Sequence, residues 1–143
     1  MHSNWSSSFK STAGPVEIYT GAVAVSNGNT LGGKNDVPTN MRIYHSPSIS
    51  YTDEFWNSTN FMQVHSSAAV YASIYSPTLN VLMGNYTGGN YPGYVFGAII
   101  SKTTAIEYMS QVHYDEALKD AQGWPNWMGG GTGSTTVTLL AQY

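Results

Sequence analysis

Short apolar runs of strand length, each closed by a cluster of Gly, Asn, Ser or Pro, are what most limit the folds open to this chain. They fall within residues 16–25, 41–51, 60–64, 68–83 and 94–112, and the clearest turn clusters are residues 26–36 and 84–93. Within the runs apolar residues alternate: Val16 and Ile18, Met41 and Ile43, Val70, Ala72 and Ile74, Leu79, Val81 and Met83. A period of two puts each set on one face of a pleated strand and turns the intervening Tyr, Ser and Asn outward. Composition agrees. Only 9% of residues are charged, against about a quarter in an average globular chain. The polar surface falls instead to 17 Ser, 14 Thr and 11 Asn, with 11 Tyr, residues that favour strands and turns over helices.

With 143 residues, the chain suits one domain with a real core. Residues 1–14 read as a polar lead-in that docks through Trp5 and Phe9, and residues 15–120 as the β-rich domain. Residues 121–143 read as a Gly- and Trp-rich connection with a returning strand at 134–143. One short helix is expected over 115–122, with Asp115 and Glu116 at its start and Gly123 and Pro125 as its stop. An Ile-Tyr pair recurs at 18–19, 43–44 and 74–75, at spacings of 25 and 31. That is too uneven for a strict period but suits an irregular right-handed β-solenoid, each coil laying a short strand on the one before; a β-sandwich is the alternative. The expected core is Val16, Ile18, Val23, Val25, Ile43, Val70, Ile74, Leu79, Val81, Val95, Ile99, Ile106, Val112 and Leu118.

Five basic residues against eight acidic ones leave a net charge of −3, so there is no basic footprint for nucleic acid. Cysteine is absent, which removes disulfides, thiolate metal sites and a cysteine nucleophile. No stretch approaches the roughly 18 apolar residues of a membrane span, so no membrane insertion is expected of this segment. Few charges with much Ser, Thr, Asn and Tyr point to an extracellular or cell-surface setting.

His113, Tyr114, Asp115 and Glu116 form the densest polar cluster; its simplest role is structural, with Asp115 accepting free N–H groups at the helix start. Asp53 and Glu54, with Asn35 and Asp36, lack the spacing of a calcium loop, and the histidines at 2, 45, 65 and 113 lack metal-binding spacing. No Gly-x-Ser-x-Gly elbow occurs. The expectation is therefore no enzyme, no metal and no cofactor. Binding is better sought among the loop aromatics Trp56, Tyr86, Tyr91, Tyr94, Trp124 and Trp127, of which Trp56, Tyr91, Trp124 and Trp127 are the leading candidates.

Three pieces in order carry a resemblance: Ile74-Tyr75-Ser76-Pro77, then Gly97-Ala98-Ile99-Ile100-Ser101-Lys102, then His113-Tyr114-Asp115-Glu116-Ala117-Leu118. Together with residues 14–28 they resemble the C-terminal β-rich domain of bacterial minor-pilin-like surface proteins, over roughly residues 14–118. The resemblance implies a non-enzymatic extracellular structural or adhesive module, associated with a pilus or the cell surface. Its partners would be other surface or pilus subunits, or glycans if the chain is a carbohydrate-binding module. Self-association into filaments is a further alternative, because strand edges with few charges are poorly guarded.

Overall fold

The structure is a computed structural model that describes residues 2–3, 8–12, 15–26, 28–48, 60–85 and 91–120. Among them the chain is all-β, mostly strand and without a helix of seven residues or more. Ten strands form one sheet that does not close. They are β1 (His2–Ser3), β2 (Ser8–Lys10), β3 (Val16–Thr20), β4 (Val23–Val25), β5 (Thr30–Gly32), β6 (Met41–His45), β7 (Asn60–His65), β8 (Ala69–Asn85), β9 (Tyr94–Ile106) and β10 (Gln111–Tyr114). The lead-in thus contributes two strands to the sheet.

Every strand pair among the described residues is parallel. Parallel neighbours cannot be joined by a tight hairpin, so paired residues stand well apart in the chain, as Tyr94 and Gln111 do at one extreme and Val23 and Met62 at the other. Three ladders result. The first runs β2, β5, β8, β9, β10 and aligns Phe9, Leu31, Val70, Val95 and Val112. The second runs β3, β6, β8, β9 and aligns Ile18, Ile43, Ile74 and Ile99. The third runs β1, β4, β7, β8, β9 and aligns Ser3, Val25, Val64, Met83 and Ile106. The recurring Ile-Tyr pair is one double column of the second ladder, with Tyr19, Tyr44 and Tyr75 beside the isoleucines.

Strands β8 and β9, of 17 and 13 residues, serve all three ladders. They turn the corner between the second and third ladders without ending. Their register shifts between Ser76 and Asn80, around Pro77, which has no N–H to give a ladder.

The core gathers the inward columns: Val23, Val25, Ile43, Val70, Ile74, Val81 and Val95 are buried, with Ile18, Leu79, Ile99 and Val112 packed against them. Leu118 is buried on a 3₁₀ turn, and Val16 is half-buried. Ile106 departs from expectation at 46% exposed, because it ends β9 and Met83 covers it from one side only. Leu31, Met41, Phe61, Met62, Val64, Ala68, Ala72 and Met83 complete the core.

The helix expected at 115–122 is a five-residue 3₁₀ turn, Glu116–Asp120, and residues 121–122 lie outside the described residues. A stretch this short cannot offset the cost of nucleating an α-helix. The tighter bond from Leu118 N–H to Asp115 O (3.0 Å) forms instead. Asp115 starts the turn as the sequence suggests, its Oδ1 accepting the Ala117 N–H at 2.9 Å.

Candidate functional site

Alternation along the first ladder sends Leu31, Val70, Val95 and Val112 inward and their neighbours outward. One outward row is Lys10, Gly32, Tyr71, Phe96 and His113. Its rings lie nearly parallel: Tyr71 and Phe96 have centroids 4.7 Å apart at 8°, and Phe96 and His113 4.8 Å apart at 11°. Those distances equal the spacing of neighbouring strands, so parallel in-register pairing itself produces the stack. Tyr94, from the adjacent row, lies 6.2 Å from Phe96 and 6.4 Å from His113. The His113 Nε2 lies 3.0 Å from Gln111 Oε1. Where the row lacks a side chain, at Gly32, the ion pair of Lys10 and Asp36 (2.8 Å) crosses it. A Cβ at Gly32 would press on Asp36 Oδ1 and Tyr71 Cβ, both at 3.2 Å. The result is an aromatic strip on the outward face of the first ladder.

A second aromatic column stands outside the second ladder. Tyr19 and Tyr44 stack at 4.9 Å and 12°, and Tyr75 meets Tyr44 edge-on at 6.3 Å. Beside it the buried Arg42 guanidinium holds Glu17 Oε1 at 3.0 Å, and the Tyr19 hydroxyl donates to Glu17 Oε2 at 3.0 Å. The bond to Glu17 raises the Tyr19 pKa above the ordinary phenol range, and burial raises that of Tyr44.

His45 ends β6, its Nδ1 3.0 Å from Thr78 Oγ1 and its ring 5.4 Å from Phe61. Burial lowers its pKa below the ordinary imidazole value of about 6.5. The unfolded chain therefore takes up this proton first as pH falls. The contribution to stability is complete above pH ~6.5 and is lost as pH drops through the window below it. Melting temperatures measured between about pH 7.5 and about pH 5 are expected to fall more steeply for the parent than for His45→Gln.

Of the candidate residues, Tyr91 is 62% exposed just before β9, close in sequence to the aromatic strip. Trp56, Tyr86, Trp124 and Trp127 lie outside the described residues, as do Asp53 and Glu54. His113 joins the strip, Tyr114 is exposed at the end of β10, and Asp115 caps the 3₁₀ turn that Glu116 begins. His113 and Asp115, which could share a face in extended chain, each have a local partner instead. Asp36 is committed to Lys10, and among the described residues no three His, Asp or Glu side chains gather as metal ligands.

Tyr71 and Phe96 are the residues that sequence reasoning missed. Their signal was present in a second echo, Val70-Tyr71-Ala72-Ser73-Ile74 against Val95-Phe96-Gly97-Ala98-Ile99, which the structure places in register. Compared with known proteins, the chain matches no family model, no curated protein and no solved structure.

Proposed function

We propose that the chain is a non-enzymatic structural or adhesive module of an extracellular or pilus-associated surface, built as an irregular right-handed β-solenoid. The observation that carries this reading is the all-parallel, in-register ladder system with its outward aromatic strip. Three ladders that share β8 and β9 are what stacked coils produce, whereas a sandwich of the Greek-key kind pairs its strands antiparallel. Right-handedness follows from the rule for parallel crossovers. The resemblance to minor-pilin-like surface proteins supports a surface setting, as does the low charge.

Immunogold labelling of intact source cells with an antibody against this chain tests the reading. Gold on the cell surface or on filaments is expected; label that appears only after permeabilisation overturns it. A second reading, carbohydrate binding, draws on the exposed Tyr91 and on the aromatic strip, since aromatic rings are large, partly polar contact surfaces. On a glycan array it requires a defined sugar whose signal is lost in Tyr91→Ala.

A further inference from the structure

We propose that the two ends of the sheet are docking surfaces for a second copy of this chain, added head to tail so that the parallel ladders continue across the junction. The geometry rests on the stacked-coil reading above. Among the described residues two of the three ladders are the same length: the first has five strands, β2 to β10, and the third five, β1 to β9. A copy advanced by five strand positions therefore continues both at once, with neither overlap nor gap. The second ladder has four strands among the described residues, so the same advance leaves room for one extended segment between the described β9 of one copy and β3 of the next. A copy advanced by four would close that space but would drive β2 into β10, so five is the step that fits.

The side chains at the junction suit this step. On the first ladder the inward column ends in half-buried Val112 at one end and in Phe9, 45% exposed, at the other. Stacking sets Val112 against the next copy's Phe9 and extends an apolar column already five residues long. Among the described residues neither edge carries Pro or a row of charges; β2 has the single Lys10, whose ammonium is held by Asp36 at 2.8 Å. Strand β10 carries no Lys, Arg, Asp or Glu, and the β9 edge beyond Gly97 carries only Lys102. The one acidic residue of β3, Glu17, is already bound to Arg42 and Tyr19. Because the two ends differ, the contact is heterologous and does not close at two copies.

The test is light scattering on the whole chain over a wide concentration range, with Phe9→Lys blocking one end and Ile106→Lys the other. The parent is expected to grow with concentration to multiples of the monomer mass, with an axial repeat of about 24 Å in electron micrographs, five strand spacings of ~4.8 Å. Each variant alone is expected to stay monomeric, and an equimolar mixture to reach the dimer and stop, which also shows that both variants are folded. A parent that is monomeric throughout overturns the proposal, as does one that saturates at a dimer, a single variant that still grows, or a mixture that stays monomeric. Surface labelling of cells is untouched by any of these results, so the functional reading stands or falls separately.

Discussion

Gly97→Ala is expected to lower stability by about 3 kcal/mol or more, which for a chain of this size moves the melting temperature down by ~10 °C. Two effects combine at this position. The backbone of Gly97 has φ +144°, a region that L side chains rarely adopt, at a cost of about 1–3 kcal/mol. A methyl group there would also run directly into the carbonyl oxygen of Ala72, its register partner on β8, and come within 3.3 Å of Pro38 Cβ. Neither β8 nor β9 can yield without breaking a ladder that continues on both sides of the collision. Thermal unfolding followed by circular dichroism reads the loss directly, and an unchanged melting temperature would mean that the close approach of β8 and β9 is misplaced.

Phe61→Ala is expected to cost about 3–5 kcal/mol, the range for emptying a large aromatic site in a core. Phe61 heads the fully buried side chains and faces the His45 ring. Chemical denaturation should show the midpoint fall with little change in slope, and Phe61→Leu should recover part of the loss because it refills much of the space. Equal effects of Ala and Leu would indicate that contact with the His45 ring, not the volume, is what position 61 supplies.

These two residues also mark where the sequence is readable and where it is not. The Ile-Tyr echo is visible because the second ladder stacks like residues in register, Ile on Ile and Tyr on Tyr, so that column is written into the chain as a repeat. Its uneven spacing is harmless, since the connections between levels differ in length while the columns do not. Phe61 escaped because it is an extra residue: Asn60 pairs Asn80 and Met62 pairs Val81, so alternation breaks at a bulge that turns two consecutive side chains inward. Gly97 escaped because its need for glycine comes from a strand 25 residues earlier, not from a local turn. Gly84 combines both cases, lying unpaired between Met83 and Asn85 at φ +83°, with a Cβ there pressed directly against Glu107 O. Ile106 fits the alternation yet is exposed, because pattern tells which way a side chain points and not whether anything lies beyond it. The aromatic strip is half legible: Tyr94 and His113 stand out for their loop and motif, and not for the row that joins them.

Strand β8 takes partners from β5, β6 and β7 on one side and from β9 on the other. During synthesis from the N-terminus, its first three partners are complete before it emerges, and the last is complete only at residue 106. Until then β8 is itself the bare edge of the growing sheet, a 17-residue strand paired on one side only, its other side in the most adhesive form a backbone can take. The arrival of β9 thus does more than add a strand: it is the moment at which the nascent chain covers its longest sticky margin, and a pause in translation before that point is the interval of greatest exposure to miscoupling with a neighbouring chain.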